Sequence, residues 1–199
     1  MLVFCLICSY FMMVSIGSSE SPRYLNIFNQ KTIYVDDDFI DDPKNHRWNT
    51  IEEGIADART GDIVYVYQGI YSENVVLDRS VTLVGEQKDF TIIDAQHNSD
   101  CLYILSDYVN ITGFTLRNSG TEVYPQRDAG IDINSCHVTI THCNIISNYH
   151  GILFTKSYNF IAECVIDKNE AGVYFKGDNN TLTHCEITNN SIGVVADQV

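Results

Sequence analysis

Positive charge is scarce in this sequence. Twelve lysines and arginines stand against 26 aspartates and glutamates, a formal net charge of −14 over 199 residues. A surface this acidic repels phosphate backbones and anionic lipid headgroups, which argues against nucleic acid and peripheral membranes as partners. It suits solubility, cation binding or neutral sugars. Long apolar runs are also missing after residue 16, so no later stretch could span a bilayer. Five cysteines follow that point: Cys101, Cys136, Cys143, Cys164 and Cys185. None pairs as Cys-x-x-Cys, which removes the common zinc and redox motifs. Helical periodicity is nearly absent too, with one convincing helix in the whole chain.

Met1 to Ile16 is the exception, almost wholly apolar and uncharged, and it runs into Gly17-Ser18-Ser19-Glu20-Ser21-Pro22. This pattern predicts a signal peptide over 1–19, with Ser15-Ile16-Gly17 as a small-x-small cleavage site. The missing early Lys or Arg leaves an uncleaved N-terminal anchor as the alternative. Residues 20–31 form an unpatterned lead-in, and 32–199 form one domain. The expected location is secreted or cell-surface. Sequons at Asn110, Asn179 and Asn189 are compatible with glycosylation of an exported chain.

What dominates the remainder is a repeat. Gly130-Ile131-Asp132-Ile133 returns as Gly151-Ile152-Leu153-Phe154, as Gly172-Val173-Tyr174-Phe175 and as Gly193-Val194-Val195-Ala196, always 21 residues on. Cys143-Asn144-Ile145 recurs in the same frame as Cys164-Val165-Ile166 and Cys185-Glu186-Ile187, followed by Asn148, Asn169 and Asn190. Short β-rich runs at a period near 20 predict a solenoid of stacked strands. Its core should hold Ile131, Ile133, Ile140, Cys143, Ile145 and their counterparts one and two periods on. The three period-locked cysteines fall on inward positions and predict a stacked thiol ladder, with a disulfide between coils as the alternative. The Asn series predicts stacked amides at a tight, left-handed corner.

Earlier in the chain, Thr32-Ile33-Tyr34-Val35 predicts a first strand. Thr50 and Glu53 make a capping box for a helix whose Ile51, Ile55 and Ala58 share one face and whose C-terminal cap is Gly61. Placed before the first coils, it is expected to cover their open apolar end. Ile63 to Tyr67, Asn74 to Leu77, Val81 to Val84 and Thr91 to Ile93 follow as strands, with a turn at Gly69-Ile70-Tyr71. Ile111 to Leu116 aligns with Ile140 to Ile145 at an offset of 29, eight more than the repeat. The extra residues fall in 120–129, a loop extruded from one flank, where binding function often sits.

Thr32 through Ile93 resembles the opening coils of pectin-lyase-like right-handed parallel β-helices, carried by Ile-Tyr-Val-Asp-Asp-Asp, Thr-Ile-Glu-Glu-Gly-Ile, Gly-Asp-Ile-Val-Tyr-Val, Gly-Ile-Tyr-Ser-Glu-Asn-Val-Val and Val-Thr-Leu-Val-Gly-Glu. It is especially similar to the NosD-like parallel β-helix repeat proteins of microbial cell surfaces. The resemblance covers about Thr32 to Val199 and implies an all-β, single-stranded right-handed parallel β-helix with a short N-terminal capping helix. It implies much less about activity, because many functions share that scaffold. Relatives include pectate lyases, pectin methylesterases, polygalacturonases and uronan epimerases. The polygalacturonase-like Asn-Thr-Asp, Asp-Asp and Arg-Ile-Lys set is missing, and the aspartate pair and Gln expected of a methylesterase have no evident positions. NosD-like membership would imply copper handling.

Four constellations remain. Asp36, Asp37 and Asp38, within five carboxylates in seven residues, could chelate Ca2+ but lack EF-hand spacing; a solvated acidic loop is the alternative. His142, Glu163 and His184 stack one per coil and could hold Cu or Zn, or form an exposed hydrogen-bonding ladder. Leu153, Tyr174 and Val195 alternate outward, as a stripe for sugar rings or a partner, or as a patch that a loop covers. The insertion offers Tyr124, Arg127 and Asp128, beside Asp132 on the adjoining strand. Ring, guanidinium and carboxylates suit saccharide binding; Arg127 with Asp128 or Asp132 could act as acid, base and cation on a uronate. The expectation is a non-catalytic module that needs no cofactor and presents this flank to polysaccharide or cell-surface glycan. Its alternatives are a polysaccharide lyase, epimerase or hydrolase, and a NosD-like metal handler. The fourth repeat stops at Val199, seven residues in, so further coils or self-association are expected at that edge.

Overall fold

The computed structural model describes residues 30–121 and 127–196. The leader at 1–19, most of the lead-in, and Tyr124 of the insertion lie outside the described residues.

The chain forms β1 (Thr32–Val35), β2 (Arg47–Trp48), α1 (Ile51–Asp57), β3 (Ile63–Val66), β4 (Gly69–Tyr71), β5 (Val75–Leu77), β6 (Thr82–Gly85) and β7 (Thr91–Asp94). These are followed by β8 (Leu102–Ile104), β9 (Asn110–Thr112), β10 (Thr115–Arg117), β11 (Ala129–Ile133), β12 (Thr139–Thr141), β13 (Asn144–Ile146) and β14 (His150–Phe154). The last strands are β15 (Phe160–Ala162), β16 (Val165–Asp167), β17 (Ala171–Phe175), β18 (Thr181–Thr183), β19 (Glu186–Thr188) and β20 (Ile192–Ala196).

From β3 onward every third strand pairs in parallel with its counterpart one coil away, and β1 joins β3 and β2 at the start, giving three sheets that wrap a common core. The first is an eight-stranded sheet ordered β18-β15-β12-β9-β6-β3-β1-β2. The second, of six strands, runs β19-β16-β13-β10-β7-β4, and the third, also of six, runs β20-β17-β14-β11-β8-β5. The 21-residue period is the physical register: Ile131 pairs with Ile152 and Ile152 with Val173, while Leu116 pairs with Ile145 across the 29-residue offset.

The predicted core is the observed one. Ile131, Ile133, Ile140, Cys143, Ile145, Ile152, Phe154, Ile161, Cys164, Ile166 and Val173 are buried, and Phe175, Leu182, Cys185 and Ile187 pack against them. Each such side chain withdrawn from water contributes about 1.5–3 kcal/mol, offset by the ordering of the chain. All five cysteines after residue 100 are free thiols, so the thiol ladder is what forms.

Thr50 caps α1, its hydroxyl oxygen accepting the Glu53 N–H, and Glu73 from the next coil accepts the N–H groups of Ile51 and Glu52. Ile51 and Ile55 lie in the core, so the helix covers the first coils as expected. Its C-terminal cap is Ala58, not Gly61, because the chain turns extended at Ala58. Gly69–Tyr71, expected as a turn, is a strand, since Ile70 finds a partner in Ile92.

Tight corners between sheets use left-handed backbone. His142, Glu163 and His184 occupy one such corner in successive coils, and Ser147, Lys168 and Asn189 the next. The Asn ladder therefore stands one residue past the left-handed position rather than on it. Its amides do stack: Asn169 Oδ1 accepts the Asn148 N–H at 2.8 Å, and Asn190 Oδ1 accepts that of Asn169 at 2.9 Å. At an earlier corner the backbone leaves no room for a side chain. A Cβ on Gly113, which has φ +85°, would come within 2.3 Å of the Gly85 carbonyl oxygen.

Candidate functional site

The third sheet carries the chemistry on its outer face. Strand alternation turns Ile131 and Ile133 inward and Asp132 outward. Register then stacks Val76, Tyr103, Asp132, Leu153, Tyr174 and Val195 in one outward ladder across β5, β8, β11, β14, β17 and β20. The ladder is not an open stripe. Leu153 keeps only 2% of its surface, and Asp132, though outward, keeps 8%. The end of the insertion returns over this face: Arg127, in left-handed backbone, sets its guanidinium 4.7 Å from the centre of the Tyr174 ring.

Between these groups lies a cleft of about 460 Å³. Tyr103, Asn134 and Thr155, on successive coils, line one side as a hydrogen-bonded strip: Thr155 Oγ1 donates to Asn134 Oδ1 at 2.9 Å, and Asn134 Nδ2 donates to Tyr103 Oη at 3.2 Å. Two acids and two cations complete it, Asp100 and Asp132 with Arg127 and Lys176. Asp100 Oδ1 accepts the Ala129 N–H at 2.6 Å, which ties the acid to the start of β11.

The electrostatics follow from burial. Desolvation pushes the Asp132 carboxyl up to about 7; the Asp100 charge adds to the rise and Lys176 opposes it. Burial also lifts Asp100 to about 6, against the pull of the Ala129 N–H and with a further push from Asp128. Asp132 Oδ1 is buried with no hydrogen-bond partner. Leaving such an atom unmatched costs about 1–3 kcal/mol, so it calls for a reason. Behind the cleft, His150 is buried edge-on to Tyr149 and Tyr174, with Nδ1 3.2 Å from the Asp128 carbonyl oxygen, and burial lowers its pKa.

The cleft brings together Arg127, Asp132 and Leu153 of the residues singled out from sequence, with Tyr174 under Arg127. Asp128 is buried beside them but outside the lining, its carboxylate packed where a Gly120 side chain would stand. The His142–Glu163–His184 series is exposed at a corner. His142 Nε2 meets the Glu163 carboxylate, while His184 Nδ1 turns to Thr183 Oγ1 at 2.9 Å. Among the described residues, only Asp36, Asp37 and Asp38 bring three His, Cys, Asp or Glu donor atoms within 4.8 Å of one another. Two of those carboxylates already serve the local fold, Asp36 accepting the Asp38 N–H and Asp37 that of Ile70. No described helix is long and apolar enough to cross a membrane.

Sequence reasoning missed Asp100, Tyr103, Asn134, Thr155 and Lys176. A signal existed. The 21-residue frame stacks Asn134, Thr155 and Lys176, and the 29-residue offset places Tyr103 against Asp132 and Asp100 against Ala129.

Three parallel sheets closed around one core define the class: a right-handed parallel β-helix of the pectin-lyase-like fold. The chain belongs to the family described as "Right handed beta helix region", whose model matches residues 75–198. Among solved structures it is similar to a pectin methylesterase from carrot, with TM-score 0.60 and 19% identity over 85% of this chain and 53% of that one. It is also similar to the pectin methylesterase from Aspergillus niger (0.59, 16%, 83% and 57%) and to pectin methylesterase PemA from Erwinia chrysanthemi (0.53, 11%, 77% and 64%). At these identities the likeness is one of fold. The chain spans about half to two-thirds of the length of these structures. No curated protein matches it.

Proposed function

We propose that the cleft on the third sheet is a hydrolytic active site for an acidic polysaccharide, in an exported or cell-surface protein. The observation that carries this reading is Asp132: an acid buried with an unmatched oxygen, in a cleft it shares with a second acid and two cations. In a chain of net charge −14, Arg127 and Lys176 together are a local exception, suited to holding the carboxylates of a sugar chain. Asp132 keeps its proton near neutrality and is fitted to donate it to a leaving oxygen or to stabilise a developing oxyanion. Asp100, which ionises at lower pH, is fitted to be the base or nucleophile. A lyase needs instead a strong base beside the sugar ring, and a proton-holding acid favours hydrolysis over elimination. The similar structures are pectin methylesterases, which supports a pectin-type substrate.

The test is product analysis on a panel of acidic and neutral polysaccharides. Methanol release identifies ester hydrolysis, new reducing ends without unsaturation identify glycosidic hydrolysis, and unsaturated uronide would indicate elimination and sink the proposed acid role of Asp132. Tight binding without product would instead make the cleft a glycan-binding site.

A further inference from the structure

Asp132 poses a question that hydrolysis alone does not answer. Its Oδ1 is buried and finds no hydrogen-bond partner among the described residues, while the residue itself lines the cleft. The groups in and around the cleft come from four successive coils. Asp100 and Tyr103 stand at β8, and Arg127 and Asp128 on the segment entering β11. His150 opens β14, Tyr174 lies on β17, and Lys176 follows β17. Asp128 is buried beneath the segment and faces Gly120 rather than the cleft. His150, held below its ordinary pKa by burial, brings no charge near neutrality. The lining therefore counts two fixed cations against two acids, and the state of the acids decides its sign. With both ionised the cleft is neutral overall, and an arriving carboxylate meets two like charges. With both protonated it carries two positive charges and offers O–H donors.

We propose that this cleft takes up a proton together with its ligand: an anionic oxygen group binds between Arg127 and Lys176 while Asp132 is held as a neutral acid that donates to it. The inference rests on the acidic-polysaccharide reading and adds its regulation. Binding tightens in acid and weakens as pH rises through the range in which Asp132 ionises. A neutral ligand meets no such switch, because it neither gains from the cations nor suffers from the carboxylates.

The experiment is calorimetric titration with a short oligogalacturonate, at about pH 5 and about pH 8, in two buffers of different ionisation enthalpy; the fully methyl-esterified oligomer is the neutral control. The expected result is net proton uptake and binding weaker by at least about tenfold at the higher pH, since an acid ionising near 7 is then mostly charged. Asp132→Asn, isosteric and uncharged, should flatten that fall, while Arg127→Gln should weaken binding at both values. Equal affinity at both pH values, or proton release, would overturn the proton coupling and leave the substrate reading standing. No binding at either pH would overturn both. The wild-type buffer series decides the matter even if the variants do not fold.

Discussion

Arg127 holds its guanidinium 4.7 Å above the centre of the Tyr174 ring, joining the end of the insertion to a strand two coils further on. A cation over an aromatic face contributes about 0.5–2 kcal/mol, more as water is excluded. Tyr174 in turn rests edge-on to buried His150. The stack fixes where one of the two cleft cations stands, although 21-residue spacing alone would make Tyr174 an exposed rung.

Replacing the ring should accordingly disturb ligand binding more than folding. Tyr174→Leu is expected to raise KM for an acidic polysaccharide roughly 2- to 30-fold with little change in kcat. Tyr174→Phe should stay near wild type. Steady-state kinetics on the three proteins checks this; a kcat effect with KM unchanged would place Tyr174 in the chemistry instead.

The raised pKa of Asp132 has a signed consequence for stability. Its folded value, about 7, lies above the ordinary carboxylate value of 3.8, so ionisation costs more in the folded chain than in the unfolded one. The stability is present in acid and is lost as pH rises through that interval. From about pH 5 to about pH 8.5 the loss from this group alone should be ~2–3 kcal/mol. Urea denaturation of wild type and Asp132→Asn at both values measures it, and the variant should lose less. Parallel losses in the two proteins would show that Asp132 ionises normally.

The amide ladder predicts a large cost for a small change. Asn169 accepts the Asn148 N–H and donates to the Ile145 carbonyl at 3.1 Å, both inside the coil stack. Asn169→Ala leaves both backbone groups buried and unpaired, for an expected loss of about 2–5 kcal/mol. Asn190→Ala, at a less buried rung, should cost clearly less. Thermal unfolding of the two variants ranks them, and equal losses would contradict the role of burial.

Thiol reactivity tests the core directly. Cys101, Cys143 and Cys164 are buried, and desolvation pushes the Cys101 thiol up, away from its reactive form. In the native protein, alkylation followed by mass spectrometry should modify Cys136 and Cys185 first and leave those three untouched until denaturant is added. Rapid labelling of Cys143 or Cys164 in the folded chain would mean that the coils are open there.

The fold was legible because solenoid physics writes itself into sequence. Inward positions must repeat, so Cys143, Cys164 and Cys185 fall in step and the period gives the register outright. The site was legible only in part. Arg127 and Asp132 stood out because the insertion broke the period beside them. Asp100 did not, since it lies outside the 21-residue repeat and meets Ala129 only through the 29-residue offset, which spans the insertion. The burial of Asp132 was hidden for a different reason. Alternation fixes which face a side chain takes, but not whether another segment folds back over that face. His142, Glu163 and His184 show the converse: a perfect period brought three ligand-type residues into file at a solvent-facing corner, yet only two of them meet.

The central claim is that Asp132 acts on substrate in this cleft, and one comparison tests it most directly: turnover of acidic polysaccharide by wild type and by Asp132→Asn, with circular dichroism confirming the same fold. The account predicts measurable wild-type turnover that falls by ~100-fold or more in the variant. Turnover in the variant equal to wild type would contradict it.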